Sequence, residues 1–125
     1  DIVGLMRIND EISREAGDKV ILESLKRINA AAGEDMPVLR IGGDEFVMVT
    51  GLDDVEKVTK IAKAVMEKNG VETAYKGGTV PVSIRSGAVM IRKPLKYSML
   101  CHDFDEVISF ARNDGEVHFA KAEQR

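Results

Sequence analysis

The segment best equipped for chemistry is Arg40-Ile41-Gly42-Gly43-Asp44-Glu45-Phe46, where two glycines precede two adjacent carboxylates. Glycines in a hairpin turn can take positive φ and let the backbone come close to a ligand. Neighbouring carboxylates repel one another, and a bound divalent cation relieves that repulsion. One or two carboxylates combined with substrate phosphates is the usual way Mg²⁺ is held. The same tetrad also suits a solvated hairpin tip with no ligand, and taken alone it does not separate the two. His102 and His118 lack metal-ligand spacing with Cys101 or with each other, so they read as structural or solvent-facing, and the scattered Met residues read as core filler.

These residues need elements to position them. Ile8 and Ile12, after Arg7, indicate a short helix and turn. From Asp18 onward Ile21, Leu22, Leu25, Ile28 and Ala32 recur at helical spacing, with Lys19, Glu23, Lys26 and Arg27 on the other face. Asp18 is an expected N-cap and Gly33 an expected stop. Val38 to Ile41 and Phe46 to Val49 flank the glycine tetrad as a β-hairpin. Gly51, Leu52, Asp53 and Asp54 lead into a helix carried by Val55, Val58, Ala62 and Val65, ending at Asn69-Gly70. Tyr75 to Thr79 reads as a turn, and Val80 to Ile91 as a strand with Pro81 near its start and a bulge or bend at Gly87. Asp103 to Glu106 has capping-box spacing ahead of a helix that stops at Gly115, and Val117 to Phe119 forms a last strand. With Ile2-Val3 as the end of a strand, this order predicts a single α+β domain of ferredoxin-like or palm type, a mainly antiparallel sheet flanked by helices.

Composition narrows the class. The chain has 125 residues, 44% hydrophobic and 31% charged, with a formal net charge of −3 and one Cys. That charge is not basic enough for a sequence-independent nucleic-acid binder, so no nucleic-acid partner is expected. A single Cys excludes an intramolecular disulfide and fits a reducing, cytoplasmic setting. No apolar run approaches the roughly 18 residues a membrane span needs, so no membrane contact is expected of this segment.

Two blocks now give a resemblance to a known family. Arg40 and the intact Gly42 to Phe46 form one; Asp1-Ile2, Gly4-Leu5, Ile8-Asn9-Asp10 and Gly17-Asp18 form the other, and Ala111-Arg112 before Gly115 adds a weaker match. The chain resembles the GGDEF domains, the diguanylate cyclases of bacterial signalling, over essentially its whole length. The resemblance implies a palm-like nucleotidyl-cyclase fold that binds one GTP, two such domains meeting as a homodimer to make cyclic di-GMP and pyrophosphate. It implies that Asp1, the carbonyl of Ile2 and Asp44 hold Mg²⁺ or Mn²⁺, with Glu45 as a further ligand or the group that helps deprotonate the attacking 3′-hydroxyl. It also implies that Asn9 and Asp18 read the guanine edge, that Gly4, Leu5 and Met6 offer backbone N–H groups to the phosphates, that Gly42 and Gly43 line the substrate, and that Arg112 faces the phosphates. On residue physics alone, Asp18 also suits an N-cap, Asn9 a satisfied turn and Asp1 a frayed terminus.

The departures from the family pattern cluster on the phosphates. Met6 stands where a Lys is usual, and Glu116 where an Arg often follows the glycine. Losing one charge-assisted contact costs about 1.5–3 kcal/mol, which lowers GTP affinity or rate without breaking the fold. A catalytically degenerate regulatory module that binds GTP or a protein partner is therefore the alternative to a working cyclase. The family's Arg-x-x-Asp product-inhibition site would fall at Gly33 and Met36, so no feedback inhibition through it is expected. Such domains are output modules of longer chains, which implies a sensor or regulatory domain in the same polypeptide. Against the family, Asp1 is the end of a central strand, and the domain is expected to lack its N-terminal helix and most of that strand here.

Overall fold

Ser13 decides where the long helix begins. Helix α1 (Leu5–Glu11) is followed by α2 (Arg14–Ala32), and the Ser13 hydroxyl accepts the N–H of Ala16 at 3.1 Å while sharing a 2.7 Å hydrogen bond with the Tyr75 hydroxyl. The expected cap at Asp18 is therefore corrected to Ser13, a turn earlier. The first turn of α2 buries only Ala16 and Gly17, which are too small to register in an apolar pattern. Gly33 ends the helix at φ 86°, as expected. Arg27 is corrected too: it sits inside the protein at 8% exposure and donates to the carbonyls of Lys68, Val71 and Val82.

The computed structural model describes residues 1–33, 35–52, 54–91 and 93–121; Glu34, inside the Gly33 to Met36 stretch, and Asp53, ahead of the Val55 helix, lie outside them. Strands β1 (Val38–Arg40) and β2 (Phe46–Met48) form the expected antiparallel hairpin, with Arg40 opposite Phe46. Asp54 caps α3 (Val55–Met66) by accepting the N–H of Glu56 at 2.9 Å; the helix ends at Met66, short of the expected Asn69-Gly70 stop, and residues 67–70 are turn. A second hairpin, β3 (Glu72–Tyr75) and β4 (Gly78–Pro81), turns through Lys76 at φ 45° and Gly77 at φ 79°, the pair of positive angles that matches strand twist in a two-residue loop.

The single strand expected over Val80 to Ile91 is instead divided. Pro81 closes β4, Ile84 forms an isolated antiparallel bridge with Ile2, and β5 (Gly87–Met90) follows. Gly87 makes no bulge; a β-carbon there would lie 2.5 Å from Cγ2 of Val107, so the glycine lets α4 (Tyr97–Asp114) pack against β5. Helix α4 starts before the expected capping box, which leaves Asp103 buried in mid-helix, and it stops at Gly115 with φ 71°. Strand β6 (His118–Lys121) lies parallel to β5.

The architecture is α+β with four helices, and its strands form two antiparallel pairs and one parallel pair among the described residues. Residues 1–3 link the signature hairpin to the segment before β5: Ile2 N donates to Asp44 O at 2.8 Å, Val3 N to Ser83 O at 2.9 Å, and Arg85 N to Asp1 O at 2.8 Å. Ile2, Leu5, Ile8, Val20, Val80 and Val82 form one core cluster between that link and the two N-terminal helices, and Ile28, Val65 and Ile84 form a second beneath α3. No helix of the described residues is long and apolar enough to cross a membrane.

Candidate functional site

The signature turn is shaped by its own backbone. Ile41 N donates to Glu45 O at 3.0 Å, and the Arg40 guanidinium donates to the carbonyls of Gly42 at 3.2 Å and Gly43 at 2.7 Å. Neither Gly42 nor Gly43 takes a positive φ, which corrects that expectation: the carbonyl staple from Arg40 shapes the turn without left-handed backbone. What the glycines provide is access, since a β-carbon on Gly43 would meet nothing within 4 Å. The Glu45 carboxyl carbon lies 3.8 Å from where a β-carbon of Gly42 would stand, so this side chain folds back over the turn.

Asp1 reaches the same place from a different part of the chain. The hydrogen bond from Ile2 N to Asp44 O, 2.8 Å, sets its backbone beside the acidic pair. The Asp1 side chain is 5% exposed, its Oδ2 has no hydrogen-bond partner, and Nη1 of Arg85 stands 3.6 Å from that oxygen.

Among the described residues no three Asp, Glu, His or Cys side chains are gathered into a metal cage. The donor set nevertheless fits a hard divalent cation. It offers a buried carboxylate oxygen without a hydrogen bond and a second carboxylate on the adjoining backbone, the number Mg²⁺ takes when phosphates supply the rest.

The other candidate residues fall in two groups. Asn9 on α1 is half-buried against α2, where a β-carbon on Gly17 would lie 1.7 Å from its Oδ1; Asp18, the next residue, is exposed. Gly4 caps α1 with φ 71° and no side-chain cap bond, Leu5 is buried and Met6 is 77% exposed. Arg112 lies exposed in the last turn of α4. Arg112 shares with Arg85 the lining of a cavity at the end of α4, while Asn9 packs against α2 beside Gly17.

Sequence reasoning missed Arg85. It interrupts the β-branched run from Val80 to Ile91, and a charge inside such a run was the signal available. His118 is half-buried and 2.7 Å from Asp114 Oδ2; that carboxylate also accepts the N–H of Glu116 at 2.9 Å. The Glu116 N–H first, and the His118 side chain next, hold the Asp114 carboxyl below its usual range. His102 is exposed, 3.8 Å from Glu106.

The family model described as "Diguanylate cyclase, GGDEF domain" matches residues 1–118. A membrane protein of Staphylococcus aureus (strain USA300), itself uncharacterised, is 26% identical over 119 residues, which are 92% of this chain and 33% of that protein. The chain thus spans about a third of the curated relatives it matches. The GGDEF domain of YfiN (TpbB) from Pseudomonas aeruginosa superposes with a TM-score of 0.74 at 25% identity, covering 98% of this chain and 73% of that one. The active GGEEF domain of a diguanylate cyclase from Vibrio cholerae shares the fold, with a TM-score of 0.72 at 16% identity over 98% of this chain and 78% of its own.

Proposed function

The chain belongs to the GGDEF diguanylate cyclase family, and from that premise we propose that it condenses two GTP molecules into cyclic di-GMP and pyrophosphate. The observation that supports this reading is the 2.8 Å hydrogen bond from Ile2 N to Asp44 O, which joins the backbone of the Asp1-Ile2 segment to that of the acidic pair although they are far apart in sequence. A carboxylate pair so placed, with the Ile2 carbonyl, would hold Mg²⁺ or Mn²⁺ together with nucleotide phosphates. When bound, the cation supplies charge neutralisation at the reacting phosphate and the leaving pyrophosphate.

The chain's own residues do the rest. Asn9 and Asp18 read guanine: the Asp18 carboxylate accepts from N1 and N2 of the base, and the Asn9 amide meets both acceptors and donors. The uncapped first-turn amides of Leu5 and Met6, with Gly4, face phosphate, and the open space at Gly43, next to Gly42, lets the nucleotide approach the backbone closely. Glu45, folded over the turn, is the group placed to take a proton from the attacking 3′-hydroxyl. Arg112 offers a cation to the phosphates. Catalysis then requires two GTP-loaded domains to meet, and a sensor or regulatory domain elsewhere in a longer, cytoplasmic chain would bring them together.

A regulatory module without turnover is the second reading. It is favoured by Met6 and Glu116, both exposed where the family pattern has basic side chains. The deciding experiment is incubation with GTP and Mg²⁺ at high protein concentration, followed by chromatography. Cyclic di-GMP in the wild type and none in Asp44→Asn supports the cyclase. GTP binding without product, lost in Asp18→Ala, selects the regulatory module.

A further inference from the structure

Arg85 lies outside the two sequence blocks that carry the family resemblance, yet it stands between Asp1 and Arg112. It is 29% exposed and stands 3.6 Å from Asp1 Oδ2. It also lines, with Arg112, Val3 and Gly115, a cavity of about 200 Å³ at the C-terminal end of α4. That volume is below the roughly 300–1,000 Å³ of pockets that enclose a whole small ligand, so it suits a phosphate group and not a base with its sugar.

The charge balance needs both arginines. Gly115 brings the carbonyl end of α4 to the cavity, equivalent to about half a negative charge, and Asp1 offsets one guanidinium in the unliganded pair. Arg85 and Arg112 are the two charged side chains that line the cavity, so Arg112 alone would supply one cation and with Arg85 the lining carries two. Guanidinium groups are suited to this task because their fork donates to two oxygens of one phosphate.

We infer that Arg85 joins Arg112 in an anion site for the phosphate tail of the bound nucleotide, adding a cation where Met6 and Glu116 supply none. This rests on the nucleotide-binding reading above. Asp1 holds the Arg85 guanidinium at the cavity wall when the site is empty, and Arg85 is then the link between the acidic pair and the phosphates.

Inorganic pyrophosphate, titrated calorimetrically without divalent cation, is the direct probe. The wild type is expected to bind it with an affinity that falls as salt is raised. Arg85→Gln is expected to weaken binding about tenfold or more, and Arg85→Lys to recover only part of it. Thermal melts of both variants separate binding from folding; if Arg85→Gln does not fold, Arg85→Lys and Arg112→Gln carry the comparison. Wild-type affinity in a folded Arg85→Gln, or no pyrophosphate binding by the wild type, would overturn the inference. Pyrophosphate binding that depends on Arg85 in a chain that makes no cyclic di-GMP would leave the anion site standing while the cyclase reading falls. Cyclic di-GMP made by Arg85→Gln with an unchanged KM for GTP would do the reverse.

Discussion

A β-carbon placed on Gly17 would lie 1.7 Å from Oδ1 of Asn9, so the Asn9 amide occupies space that exists only because residue 17 has no side chain. The glycine is helical with ordinary φ, and Ala there gains about 1 kcal/mol of helix propensity. The overlap is with the end of a side chain that can rotate away. Gly17→Ala is therefore expected to change stability by no more than about 1 kcal/mol while displacing Asn9 from the α1/α2 corner. If Asn9 reads guanine, GTP binding should weaken about tenfold, one hydrogen bond's worth. Asn9→Ala added to Gly17→Ala should then cost little more, because both remove the same contact. Full additivity in the GTP affinities of that cycle would count against Asn9 as a base-reading residue.

Arg27 joins α2 to the chain that follows α3 and to the end of β4 through three carbonyls, with donor–acceptor distances of 2.9–3.0 Å. Glu23 flanks it at 3.4 Å. Arg27→Ala strips partners from buried carbonyls and from a largely buried carboxylate, so a loss of about 3–5 kcal/mol is expected in urea or guanidinium unfolding. Arg27→Lys should restore only part of this, since a single ammonium cannot fork among three acceptors. A loss below about 1 kcal/mol for Arg27→Ala would show that water satisfies those carbonyls instead.

Arg27 also shows where sequence patterns stop being informative. On a helical wheel it falls among Lys19, Glu23 and Lys26, and only the carbonyls of residues more than forty positions later draw it inward. Arg85 is similar, because its significance depends on Asp1 at the far end of the chain. By contrast, the β1–β2 hairpin, α3 and the glycine stops at Gly33 and Gly115 are set by neighbours in sequence, and they were legible from it. The misplaced start of α2 has the same physical origin. A side-chain cap is local, but the choice between Ser13 and Asp18 is settled by Tyr75, whose hydroxyl is 2.7 Å from that of Ser13. The acidic pair could be seen in the sequence, whereas its proximity to Asp1 depends on a backbone bond between distant segments.

Acid should weaken the end of α4. The Asp114 carboxyl is held below its ordinary value of 3.8 by the Glu116 N–H and by His118. A carboxyl whose pKa is depressed in the folded state binds protons more readily when unfolded. Its contribution is therefore complete above the ordinary value and is lost as pH falls through the depressed one. Melting curves of wild type and Asp114→Asn should differ at neutral pH in favour of the wild type, and the difference should shrink as pH drops below about 4. A difference that stays constant down to strong acid would mean that Asp114 contributes no charge-dependent stability.

Divalent cation should stabilise the protein only through the acidic pair. With a non-hydrolysable GTP analogue held constant, adding Mg²⁺ at ten times its dissociation constant is expected to raise stability by about 1.4 kcal/mol, visible as a shift of several degrees in Tm. Asp44→Asn removes one carboxylate from the set that adjoins Asp1, so the Mg²⁺-dependent shift should vanish or fall several-fold. Without Mg²⁺ the same variant should be as stable as wild type or slightly more so, because it relieves repulsion between the adjacent carboxylates of Asp44 and Glu45. This opposite sign with and without cation separates a metal ligand from a residue that merely supports the turn. Asp44→Asn that loses stability equally in both conditions would assign Asp44 to the hairpin and not to the cation.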